Sequence, residues 1–309
     1  MMLKIYQNTI LKPISFTGIG LHNGLKSEIK ILPAPENSGI VFKRIDLKGE
    51  NLIEANYKNV SSAVLCTKLS NKSGAVVSTV EHLLAALYIT EVDNALIEIN
   101  NSEVPIMDGS SKEFVDSINE TGLKELKAKR KYLKINKKIE FNEGKKTISI
   151  EPYIEGLNVD FELVYPNHII GKQNNKINFS NAKLEEVYNS RTFCLYEDIE
   201  EIKKIGLAKG GSLDNAIVVK DEEILNIGGL RNNKEFVNHK ILDLSGDFLL
   251  SGFRILGNVK CVHGGHNLSY LFLKKLFKNS SNYTEIEADK VIPTKPILKT
   301  SVNKLAVNA

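Results

Sequence analysis

His239, Asp243 and Asp247 recur every fourth residue, the spacing that stacks side chains along one stripe of an α-helix. Val237, Ile241, Leu244 and Phe248 fall on a neighbouring apolar stripe, so one helix would bury a core face and carry an imidazole and two carboxylates beside it. A His/Asp pair four residues apart can aim a nitrogen and an oxygen at one cation, a mixture that Zn²⁺ accepts while keeping a position for water. Two ligands are too few. A third nitrogen is available from His82 in Ser78-Thr79-Val80-Glu81-His82-Leu83, where Glu81 sits directly beside the imidazole at the start of another helix.

A hydrolytic metal site needs ligands that leave one position open, a base for the attacking water and a donor for the oxyanion or leaving group. The sequence supplies each role once: His82, His239 and Asp243 as ligands, Glu81 as base and His266 as acid. Gly264 and Gly265 before His266 would let the backbone approach a substrate, and Asp247 is placed to orient the imidazole. Plainer readings stay open for each. The His/Asp pair is also an ordinary polar contact, and Glu81 fits a capping box with Ser78. His266 and His22 are also loop residues, and Lys240 a solvated side chain.

These residues need elements to carry them. Residues 17–24 are glycine-rich turns and short strands, and residues 28–33 alternate until Pro33 stops them. The pattern predicts a helix from about Ser78, a strand over residues 94–100 and a second helix from about Lys112 to Gly122. Residues 124–131 are basic with few apolar side chains and read as a solvated linker, dividing the chain into residues 1–126 and 127–309. The second half restarts with strands around residues 147–150 and 159–165. Helices are predicted over 180–189 and 197–204, a strand over 216–219, the metal-bearing helix ended by Gly252, and a strand from Arg254 to Val262. A last amphipathic helix would bury Leu268, Leu271, Phe272 and Leu276. Both halves begin with β and finish with α, which predicts an α+β fold of two domains.

With 309 residues the chain has room for that. Its 41 Lys+Arg against 37 Asp+Glu leave +4, too mild for a nucleic-acid partner but suited to a small anionic substrate. No apolar run reaches the length of a membrane span, and the first residues lack the apolar core of a secretory signal, so a cytoplasmic location is expected. Cys66, Cys194 and Cys261 are scattered, with no Cys-x-x-Cys, which leaves any metal to His and carboxylate.

Several segments, in order, resemble the UDP-3-O-acyl-N-acetylglucosamine deacetylases, zinc enzymes of lipid A synthesis: Thr17-Gly18-Ile19-Gly20-Leu21-His22, Leu65-Cys66-Thr67, Ser78 to Leu83, Pro105-Ile106-Met107-Asp108-Gly109-Ser110, Arg191-Thr192-Phe193, Gly210-Gly211-Ser212, Phe236 to Asp243, and Gly265-His266-Asn267-Leu268. The resemblance implies two similar domains, each a small mixed sheet layered with helices, and a metal at their junction. It implies His82, His239 and Asp243 as ligands of zinc, with iron(II) as the alternative ion. Glu81 would be the general base, and His266 the general acid with Asp247 behind it. Thr192 and Lys240 would stabilise the oxyanion or hold substrate. Phe193, Ile199, Ala208, Ser212, Ala216 and Val218 would line a passage for the acyl chain of an acylated UDP-amino sugar, and a monomer is expected. This chain departs from the family at Gly264, which stands for a serine, at His263, where lysine is common, and at Ser269, which stands for an asparagine. Two rivals remain: another zinc amidase or peptidase, and a basic binding module with structural histidines. The order Glu-His followed by a distant His-x-x-x-Asp is unlike the His-Glu-x-x-His of common metalloproteases, and metal analysis separates an enzyme from a binder.

Overall fold

The computed structural model describes residues 3–180 and 183–291. The first half opens with β1 (Tyr6–Ile10), β2 (Ile14–Ile19), β3 (Lys26–Pro33), β4 (Ile40–Arg44) and β5 (Leu52–Glu54). After them come β6 (Val60–Ser62), β7 (Lys68–Ser70), β8 (Val76–Ser78), α1 (Glu81–Ile89), β9 (Ala95–Ile99), α2 (Lys112–Thr121) and β10 (Leu123–Lys129). Strands β2-β3-β9-β4-β5 form a mixed sheet in that order, parallel only between β4 and β9.

The second half contributes β11 (Lys131–Ile135), β12 (Ile139–Glu143), β13 (Lys146–Pro152), β14 (Leu157–Val164), β15 (Lys172–Asn178) and the single turn α3 (Glu185–Tyr188). It continues with β16 (Phe193–Leu195), α4 (Ile199–Lys204), β17 (Ile217–Lys220), β18 (Glu223–Ile224), α5 (Glu235–Leu249), β19 (Arg254–Val262), α6 (His266–Phe277), β20 (Tyr283–Glu287) and α7 (Ala288–Val291). Here β19 is the hub of a seven-stranded mixed sheet: antiparallel to β13, and parallel to β11 along its first residues and to β14 along the rest. The fold is α+β, with small mixed sheets layered against few helices.

One unit recurs in both halves. α1 runs into β9 and then α2, α5 runs into β19 and then α6, and β9 and β19 each lie parallel to an earlier strand. The two equivalent helices pack on each other, and both are buried almost throughout. That position explains why Leu83-Leu84-Ala85-Ala86-Leu87 is apolar all round, since a helix covered on every side has no polar face. Gly246 permits the close approach, because a Cβ there would lie 2.1 Å from the Glu81 carbonyl oxygen. Beyond the other end of α1, Arg254 of β19 donates to the carbonyls of Leu87, Tyr88 and Val92, and Arg130 donates to the Glu91 carbonyl and, at 2.8 Å, to Asp93. The orphan carbonyls of the helix end are thereby satisfied from the second half.

Four local expectations are corrected. Ser78 and Glu81 form no capping box: α1 starts at Glu81 with Val80 before it and no side-chain cap, while Ser78 belongs to β8 and bonds the Ser102 carbonyl. The basic segment is no linker but strand β10, paired antiparallel with β1. Its lysines read as solvated because this strand keeps most of its side chains in water. Of the helix expected over residues 180–189 only α3 forms, with residues 181 and 182 outside the described residues. In α6, Leu268, Phe272 and Leu276 are buried as expected, but Leu273 joins them and Leu271 is half-buried.

Candidate metal centre

The first turn of α1 brings His82 to the face of α5 that carries His239 and Asp243. Their ligand atoms all lie within 4.8 Å of one another. Asp243 Oδ1 is 3.5 Å from His82 Nε2 and 3.4 Å from His239 Nε2, and the edge of a tetrahedron with bonds of about 2.0–2.1 Å is itself about 3.4 Å. The electrostatics fit the same geometry. Asp243 Oδ1 is buried and has no hydrogen-bond partner, a costly state for an anionic oxygen that a cation relieves. His239 Nδ1 is 3.1 Å from the Ser190 carbonyl, to which it donates, so Nε2 carries the lone pair that faces Asp243. Burial pushes the His239 imidazole down to about 3 despite the neighbouring carboxylate, which keeps it neutral. Burial alone would raise the Asp243 carboxyl, but the Lys240 ammonium, 2.9 Å away, and the His266 imidazolium hold it well below the usual carboxylate range. The residues present suit a divalent ion.

Around this triangle stand the groups the sequence offered for proton transfer. Glu81 Oε2 accepts the Thr67 backbone N–H at 3.0 Å, which leaves Oε1 directed toward His266 Nε2 at 3.6 Å. Burial pushes the Glu81 carboxyl up, against the pull of His266 and His82, and so makes it a better base. His266 opens α6, and its Nδ1 lies 3.0 Å from Asp247 Oδ2. Burial disfavours its charged form, but Asp247, Glu81 and Asp243 outweigh that and push it up to about 10. The imidazole is therefore a cation at neutral pH. Cys66 is no competitor for metal: burial, helped by the Glu81 charge, pushes its thiol up to about 12.

Glu81, His82, His239, Lys240, Asp243 and His266 line one cavity of about 340 Å³ together with Thr192 and Phe193. Asp247 does not line it and is bonded to His266 Nδ1. A second cavity of about 360 Å³ shares Leu21, Leu65, Thr192, Phe193, Cys194 and Ile202 with the first. Ile199, Ala208, Ser212, Ala216 and Val218 line only this second, largely apolar space. The fold thus gathers the fourteen residues singled out in the sequence (three expected as ligands, five for proton or oxyanion handling, six along the passage) at or beside two adjoining cavities. Lys240 is tied to Asp243 and lies 5.4 Å over the Phe193 ring. Thr192 is gripped from the first half: its N–H donates to the Gly109 carbonyl at 2.8 Å, and a Cβ on Gly109, φ +86, would strike the Asn215 carbonyl. Sequence reasoning missed Thr67, Ser190 and Gly246. Thr67 stood in a family-like segment, but nothing in its spacing shows what its hydrogen bonds reach.

Comparison with known proteins gives the chain's relatives. The family described as UDP-3-O-acyl N-acetylglycosamine deacetylase matches residues 7–278. Among curated relatives, a protein of Colwellia psychrerythraea named UDP-3-O-acyl-N-acetylglucosamine deacetylase is 40% identical over 307 residues, covering 98% of this chain and 99% of that one. Proteins with the same name are 40% identical over 280 residues in Pseudoalteromonas translucida, covering 90% and 92%, and 42% identical over 272 residues in Nautilia profundicola, covering 87% and 91%.

Proposed function

The chain belongs to the UDP-3-O-acyl-N-acetylglucosamine deacetylase family, and from that membership we propose how the residues of its junction cavity divide the work. The reaction is hydrolysis of the N-acetyl group of UDP-3-O-acyl-N-acetylglucosamine in lipid A biosynthesis, giving acetate and the free 2-amino sugar nucleotide. His82, His239 and Asp243 hold a divalent ion, and two imidazoles with one carboxylate suit Zn²⁺, with Fe²⁺ as the alternative. Once bound, the ion supplies Lewis acidity to the attacking water and to the acetamide carbonyl.

Everything else is done by the chain's own groups. Glu81, held on one oxygen by Thr67, takes a proton from the water with the other as the water oxygen adds to the acetyl carbon. The Thr192 hydroxyl and the Lys240 ammonium, which line the same cavity, stabilise the oxyanion. His266 presents Nε2–H, because Asp247 occupies Nδ1, and delivers that proton to the sugar nitrogen as the C–N bond breaks. The acyl chain lies in the adjoining apolar cavity along Phe193, Ile199, Ala208, Ser212, Ala216 and Val218, where each buried methylene contributes about 0.8 kcal/mol.

The observation that carries this reading is the buried, unpartnered Asp243 oxygen between two imidazole nitrogens, beside a base and an acid on one cavity wall. Action as a monomer is part of the proposal. Division into units at residues 126 and 127 is part of the proposal, supported by sheets whose strands all lie on one side of it, β10 alone straddling the line. No helix among the described residues is long and apolar enough to cross a membrane, and a nucleotide-sugar substrate suits a cytoplasmic location. The test is acetate release from the acylated UDP-sugar by purified protein with and without chelator. Release should stop on chelation and return with Zn²⁺; release by metal-free protein would refute the reading.

A further inference from the structure

Thr67 enters the division of labour above only as the group that holds Glu81, yet all three of its polar groups are engaged. Its N–H donates to Glu81 Oε2 at 3.0 Å, its hydroxyl donates to Asp247 Oδ1 at 2.6 Å, and its carbonyl accepts from the Val80 N–H at 3.4 Å. The side chain is 2% exposed. Glu81 and Asp247 stand on helices from different halves, so this one residue, in the turn before β7, ties the start of α1 to α5. Asp247 passes the tie on, since its second oxygen holds His266 Nδ1 at 3.0 Å, and His266 Nε2 returns to Glu81 Oε1 at 3.6 Å. Glu81, Thr67, Asp247 and His266 therefore form a closed ring.

We propose that Thr67 is a positioning residue for the deacetylation, fixing the aim of the acid through Asp247 while it pins the base. The inference rests on the reading of Glu81 and His266 given above. A carboxylate held by one oxygen alone rotates about its terminal torsion, which is broad for Asp, and the Thr67 hydroxyl removes that freedom for Asp247. Threonine suits the task because its β-branching restricts χ1 and so the direction of the hydroxyl. Substrate does not touch it, so its loss falls on turnover and spares binding.

The test uses the metal-loaded full chain with the acylated UDP-sugar as probe. Thr67→Val keeps the shape and removes the hydroxyl; kcat should fall by about 10- to 100-fold, as for other residues that orient a functional group through a hydrogen bond, with KM and metal content little changed. Thr67→Ser, which keeps the hydroxyl, should recover most of the wild-type kcat. In an Asp247→Ala background Thr67→Val should cost nothing more, because its acceptor is gone. Thr67→Ala carries the same expectations and serves if the valine variant does not fold. Unchanged kcat in the variants lacking the hydroxyl, a serine variant as impaired as they are, or a full further loss in the Asp247→Ala background would each overturn the inference. Failure of the wild-type protein to release acetate would instead overturn the functional reading on which it rests.

Discussion

Replacing Gly246 with alanine should damage the metal centre without altering any ligand. On the present backbone the new Cβ would stand 2.1 Å from the Glu81 carbonyl oxygen and 3.0 Å from the Ala85 nitrogen, whereas even close C···O contacts need about 3.3 Å. The helices must then part by roughly 1 Å. His239 and Asp243 share α5 and move together, but His82 stays with α1, so its 3.5 Å separation from Asp243 Oδ1 widens. Two ligands bonded at about 2.1 Å to one ion cannot lie more than about 4.2 Å apart, and a widening of roughly 1 Å crosses that limit. Metal affinity should fall by at least about 10-fold, and overpacking should cost about 1–3 kcal/mol of stability. Competition with a chromophoric chelator measures the first, and unfolding of the metal-free protein the second. A folded alanine variant that binds metal as tightly as wild type would refute the argument that this helix contact sets the ligand triangle.

Two further outcomes follow from the same geometry. A group raised above its ordinary value stays protonated to higher pH, so an acid acting through His266, pushed up to about 10, loses activity only as pH climbs through that value. Asp247→Asn removes the nearest of the charges that outweigh its burial and should move the alkaline limb of the kcat/KM profile down by about 1–3 pH units; a limb that stays in place removes His266 as the acid. In the second cavity, Ala216→Leu would fill space equivalent to about three methylenes, so the longest acyl substrate should lose about 2.4 kcal/mol, on the order of 50-fold in kcat/KM, while short-chain substrates keep their rate. Equal losses for short and long chains would show that the acyl group lies elsewhere.

How far the sequence reached depended on how local each signal is. The stripe on α5 and the limits of β19 were legible because a helix period and an apolar run bounded by glycine are properties of adjacent residues. His82 was named as a third ligand from its Glu-His pair, but its convergence on α5 rested on the family resemblance, since spacing within the chain says nothing about which helices meet. Glu81 shows the limit most sharply. Its spacing from Ser78 matches a capping box, but the chain spends Ser78 on strand β8 and turns Thr79 through φ +56 before the helix begins, and Glu81 bonds a backbone N–H fourteen residues earlier instead. The basic strand β10 was hidden for the opposite reason: a strand with most side chains in water has no apolar alternation to display. Gly246 and Arg254 carried no signal, because a close helix approach and the carbonyls of a distant helix end are properties of the assembled halves.

These contacts share one consequence for how the enzyme works. Along its short length α1 is held by the second half at three levels: Thr67 bridges Glu81 to Asp247 at its start, Gly246 fixes its distance from α5 in the middle, and Arg254 and Arg130 bind the carbonyls at and just beyond its end. His82 sits in the first turn of that helix, so its place in the ligand triangle is decided by all three. A ligand that binds only the folded arrangement stabilises it by a free energy that grows with the logarithm of its concentration over its dissociation constant, and an ion held by His82 on one side and His239 and Asp243 on the other would bind only when the halves are docked. Metal affinity and the docking of the halves are therefore one coupled quantity, and a substitution that loosens α1 at any of these levels weakens the ion's grip even where no ligand is near.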